Sequence, residues 1–146
     1  MKLLALISIC TLLFISCKKT GMNDNSDLDY NSLVGTWELE STYSGMSPLK
    51  TYPEGNGQEI SFDSAKYIKR GLVVEIGTYK LIKVSSDTVL CGEYKGHNIQ
   101  QIFFSNTPVS SKQYILLTGN KLKLIGGCIQ LDGGYYDFTK RSNLFY

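Results

Sequence analysis

From Leu33 onward the chain is a succession of short segments in which apolar and polar residues alternate, each broken by glycine, proline, asparagine or serine. "LVGTWELE" puts Trp37 and Leu39 on one side and Glu38 and Glu40 on the other. "EISF" turns Ile60 and Phe62 one way, and "KLKLIGG" sets Leu122 and Leu124 against Lys121 and Lys123. A period of two is that of a strand with one buried face. The segments fall at 33–40, 59–64, 65–71, 72–84 (bent or divided at Gly77), 88–94, 98–105, 112–118, 121–127 and 134–141. Turn signals recurring about every 8–12 residues predict an all-β antiparallel barrel or sandwich. Residues 46–58 carry Pro48, Pro53, Gly55 and Gly57 and read as a long loop. Thr118-Gly119-Asn120 reads as a tight hairpin turn. There is no internal repeat and no convincing helix after the first few turns of chain.

The N-terminus obeys another pattern. Leu3 to Ser16 is uncharged, stands behind Lys2, and stops at Cys17-Lys18-Lys19. A run of about 14 residues is short of the roughly 20 needed to span a bilayer, and it has the length of a signal-peptide apolar region. Phe14-Ile15-Ser16-Cys17 resembles the bacterial lipobox. The resemblance implies cleavage before Cys17, a diacylglyceryl thioether on its sulfur and acylation of the new amine. Several acyl chains hold firmly where a single one is marginal. The expected organisation is a signal peptide over 1–16, a lipidated linker over 17–32 rich in Asn, Asp and Ser, and a folded domain over 33–146. Lys18 stands where an inner-membrane retention signal would place aspartate. The sorting resemblance therefore implies an outer-membrane anchor on the periplasmic side, with the cell surface as the alternative.

Composition narrows the partners. Without Lys2 the chain has 14 basic against 13 acidic residues, so it lacks the basic surplus of a nucleic-acid binder. Cys10 would leave with the signal peptide. Cys91 and Cys128 then remain as an even pair in an oxidising compartment, and a disulfide between them is expected; the alternative is two buried thiols.

Gly35-Thr36-Trp37 is a G-x-W at the start of the first strand. With "GTYKLIKVSSDTVL", "QYILLTGNKLKLIG" and a closing aromatic strand ending at Arg141, it resembles the lipocalin-like domains of bacterial lipoproteins. The resemblance implies an up-and-down β-barrel of about eight strands, with a β-sandwich as the alternative. It also implies that Gly35, Trp37 and Arg141 close the barrel, the Arg141 guanidinium stacking on the indole. A barrel of about this size either fills with side chains or holds one small ligand. Phe62, Tyr67, Tyr79, Phe103 and Tyr114 are the candidate lining residues.

Catalytic chemistry is not apparent. His97 is the only histidine and sits in a "KGHN" turn, which gives zinc no ligand set. No G-x-S-x-G elbow occurs. Asp132-Gly133-Gly134 reads as a turn, and Glu38 and Glu40 as a solvated pair. No cofactor or metal is expected, and the chain reads as a non-enzyme. The expected function is a membrane-anchored carrier of a small hydrophobic or amphipathic ligand. The alternative is a protein-interaction or inhibitor module with a filled core, presenting the 46–58 loop to an unknown partner.

Overall fold

The computed structural model describes residues 30–86, 89–108, 112–128 and 132–144. The expected signal segment, Cys17 and most of the linker lie outside these residues. A single helical turn, α1 (Tyr30–Leu33), precedes nine strands. These are β1 (Gly35–Ser44), β2 (Ser47–Thr51), β3 (Glu59–Phe62), β4 (Lys66–Arg70), β5 (Glu75–Lys83), β6 (Ile99–Phe104), β7 (Gln113–Thr118), β8 (Lys121–Gly126) and β9 (Gly134–Ser142). From β3 to β9 each strand pairs antiparallel with the next, and β9 pairs with β1 to close the ring. The result is an 8-strand up-and-down barrel of β1 and β3–β9, not an open sandwich. Closure leaves no free edge within the ring. β2 is an addition: it pairs with the far half of β1, on the edge that β3 occupies lower down. Between β2 and β3 the backbone of β1 is satisfied by the intervening loop. Leu39 N donates to Gln58 O, Tyr52 N donates to Glu40 O, and the Asn56 amide donates to Leu39 O, each at 2.8 Å.

Side chains fill the barrel. Trp37, Leu39, Ile60, Phe62, Tyr67, Tyr79, Leu81, Ile102, Phe104, Ile115, Leu122, Leu124 and Phe138 form one buried cluster, with Leu33 of α1 beneath it. The aromatic members interlock. Phe62 meets Tyr79 edge-on at 5.1 Å between centroids, and Tyr67 meets Phe104 at 4.6 Å, geometries that add to simple burial. α1 forms the floor. Its Leu33 carbonyl accepts a 2.8 Å bond from Trp37 Nε1, so the indole is buried with its one polar atom satisfied. Tyr30, in the same helical turn, also packs on the barrel, its ring 6.1 Å from that of Tyr79.

Three segments differ from the sequence reading. Residues 89–94, the described part of the expected 88–94 strand, are not a strand. Leu90–Gly92 is a 3-10 turn in which Leu90 and Cys91 take φ of 51° and 57°, outside the extended region that a strand requires. The β5–β6 connection instead folds back over the outside of the barrel. There Leu90 packs with Ile99 and Ile125, flanked by Tyr94, Tyr114 and Leu116, and Cys91 bonds to Cys128 in the β8–β9 connection. The 46–58 stretch is not all loop, since β2 lies within it. Leu72, Val73 and Val74, expected in a strand, form the exposed tip of the β4–β5 hairpin.

Two outcomes follow. Gly35 has φ of +132°, and a β-carbon there would stand 2.3 Å from the Ser142 carbonyl oxygen. Gly35→Ala is therefore expected to lose about 2–4 kcal/mol in denaturant titration, because it adds both backbone strain and a clash to the β1–β9 seam. The disulfide closes a separation of 37 residues. Cys91→Ala/Cys128→Ala is expected to cost about 3–4 kcal/mol, with hydrogen exchange accelerating first in residues 89–98.

Candidate functional site

The hairpins after β1 and β4 and the connections after β6 and β8 lie at one end of the barrel, and α1 closes the other. At the hairpin end the ring opens into a cup of about 280 Å³. Its floor is the top layer of the core: Leu39, Ile60, Leu124 and Phe138. Its walls are Lys69, Arg70, Gln58, Glu59, Gln113 and Tyr136. The register explains this polarity. Ile60 pairs with Lys69, which therefore shares the inward face, and Lys69 pairs in turn with Glu75. Gln113 pairs with the inward Ile102.

The cup has a defined charge arrangement. The Lys69 ammonium lies 3.6 Å from the Glu75 carboxylate and 4.2 Å from the centroid of Phe104. Burial pushes its pKa down, and Glu75 partly offsets that. The Tyr67 hydroxyl donates to the same carboxylate, and burial together with Glu75 raises the tyrosine pKa. Arg70 lies 3.9 Å from Glu59 and donates to Ser61 Oγ at 3.2 Å. One ion pair, Lys69 with Glu75, thus stands beside the apolar base, while Arg70 and Glu59 pair on the outer face of the same wall. This is the composition of a small-molecule site, in which apolar lining supplies contact area and a few polar groups fix orientation. A hollow of about 650 Å³ runs along the β1–β2 ribbon past Pro48, Leu49 and Tyr52, and it meets the cup at Tyr136. A third hollow, of about 340 Å³, lies outside the barrel under the β2–β3 loop and is lined by Glu38, Glu40, Glu54 and Arg141.

The expected lining residues do not converge on the cup. Phe62 and Tyr67 have no exposure and Tyr79 almost none; they are core. Tyr114 is partly buried in the outer cluster beneath the β5–β6 connection. Phe103 pairs with Lys80 on the outer face, because the parity that turns Phe104 inward turns Phe103 out.

The closing set is also rearranged. Gly35 and Trp37 sit at the floor as expected, but Arg141 does not stack on the indole. β9 pairs Phe138 with Leu39 and Lys140 with Trp37, so period-two alternation sends Arg141 outward. Lys140 takes the expected place, its ammonium 5.1 Å from the indole centroid. Arg141 instead reaches Glu38 at 3.1 Å and also pairs with Glu54. Glu38, expected to be solvated, is buried beneath that arginine and the β2–β3 loop. Glu40, by contrast, stays exposed; hydrogen bonds from Lys121 and then Thr139 hold its carboxyl below the usual range. His97 sits in its turn with Tyr94 at 6.2 Å between ring centroids. Among the described residues no group of three or more His, Cys, Asp or Glu side chains is placed to hold a metal.

No family model, curated protein or solved structure matches this chain.

Trp37 is the only tryptophan, so its emission separates the two basic neighbours. Lys140→Met is expected to shift that emission, whereas Arg141→Ala leaves it unchanged. Arg141→Ala is expected to lower Tm because Glu38 loses its cation, and adding Glu38→Gln recovers most of the loss.

Proposed function

We propose that this chain is an exported lipoprotein, anchored through Cys17, whose lipocalin-like barrel takes the apolar part of a small amphipathic molecule into the cup at its mouth. The anchor rests on the apolar run ending in the lipobox-like Phe14-Ile15-Ser16-Cys17. The ligand reading rests on one observation: the cup sets an apolar floor of Leu39, Ile60, Leu124 and Phe138 beneath a wall of paired charges and amides. Since the centre of the barrel is filled, the ligand is held at the mouth and only partly enclosed. A cup of about 280 Å³ accepts a short acyl chain or a single ring system and leaves the polar end at the rim. The groups at hand bind and orient a ligand, and the reading assigns no reaction.

The mature chain (residues 17–146) carrying Cys17→Ser is expected to bind an apolar fluorophore, such as anilinonaphthalene sulfonate, that medium-chain fatty acids displace. Gln113→Trp, which fills the cup from its wall, is expected to weaken binding at least tenfold at unchanged Tm. Absence of a displaceable probe overturns the ligand reading. The filled centre favours the second reading, a docking module for a protein partner. Under that reading cross-linking in cells captures a partner through the hairpin end, and Gln113→Trp has no effect.

A further inference from the structure

Exposed aliphatic side chains gather at one end of the barrel. Leu72 is fully exposed, Val73 is 78% and Val74 62% exposed, and Ile76 follows on the same hairpin. Met46, at 83%, and Leu49 occupy the tip and flank of the β1–β2 ribbon. β1 and β4 each run antiparallel to β3 and so run parallel to one another, which brings both tips to the end where the cup opens. Residues 71–74, Gly-Leu-Val-Val, carry no charge, and Arg70 stands immediately behind them; Lys50 stands behind Leu49 on the other tip.

We propose that these two tips insert into the boundary between headgroups and acyl chains of a lipid bilayer, seating the barrel with its mouth toward the membrane. Three observations favour a bilayer as the occupant. The aliphatic residues stand on two separate projecting hairpins instead of one flat face, and a fluid surface accommodates separate projections without a matching relief. Lys50 stands directly behind Leu49 on the β1–β2 ribbon, where an anionic headgroup would meet it, while Arg70 behind the other tip is paired with Glu59. The length of chain outside the described part also permits it. Tyr30 starts at the floor, opposite the tips, but the stretch from Cys17 to Tyr30 can extend up to about 45 Å. That exceeds the length of a nine-residue strand, about 30 Å, so an anchor at Cys17 leaves either end of the barrel free to face the bilayer. This inference extends the ligand reading by giving the cup a route of entry from lipid, and it is tested without anchor and without ligand.

The test is vesicle flotation of the mature chain bearing Cys17→Ser. Phosphatidylcholine vesicles are compared with vesicles containing phosphatidylglycerol. The expected result is binding several-fold stronger on the anionic vesicles, reduced at least tenfold by Leu72→Glu/Val73→Glu. Both residues are exposed, so near-UV circular dichroism and Tm of the variant stay at their original values. Gln113→Trp weakens probe binding in the cup at least tenfold but leaves flotation intact, which separates failure of the ligand reading from failure of this one. Flotation that is absent, or indifferent to Leu72→Glu/Val73→Glu, overturns the proposal. So does concentration-dependent self-association in ultracentrifugation that this variant removes while flotation is absent, since the occupant is then a second copy.

Discussion

The structure depends on the seam between β1 and β9. Every other strand pair in the ring joins neighbours in sequence once β2 is set aside, but this pair joins the first strand to the last. It is also the longest run of partners, from Thr36 with Ser142 to Ser44 with Gly134. The seam places Phe138 over Leu39 and Lys140 over Trp37, and so completes the core and the floor together. It needs a residue without a side chain at Gly35, where Ser142 crosses. It also allows the cup to exist, because Leu39 and Phe138 from the two seam strands supply half of its apolar base.

Much of the barrel was legible from period-two alternation. β1, β3, β4 and the four strands from β6 to β9 lie where the alternating segments fall, and their inward residues are those of the correct parity. The failures have physical causes. "TVLCGEY" has strand composition, but covalent attachment of Cys91 to Cys128 and the left-handed residues beside it make it a cover for the outer face. "LVV" at 72–74 has the strongest strand propensity in its segment, yet the chain must turn there, and a hairpin tip takes whichever residues stand at the midpoint of two paired strands. The misplaced arginine is a matter of one residue. Arg141 and Lys140 are adjacent cations, and only the register of Phe138 against Leu39 decides which one meets the indole.

The cup was less legible than the core. Aromatic residues attract attention as pocket lining, but here Phe62, Tyr67, Tyr79 and Phe104 pack ring against ring at the centre. The residues that stay accessible are those too polar to join the core, and their signal was parity. Once Tyr67 points inward, Lys69 must do so two residues later, and Glu75 faces it from the next strand. An inward lysine in a strand that otherwise reads as core marks the level at which packing stops and solvent begins.

The bond between Cys91 and Cys128 encloses β6, β7 and β8 completely. A polypeptide that has lost its seam therefore keeps these three strands within one covalent ring, and its denatured ensemble is more compact than that of an open chain of equal length. Reversible opening of the barrel begins and ends with that ring intact. Recovery after heat then requires a fresh search only by the segments outside it, chiefly the first strand and the last.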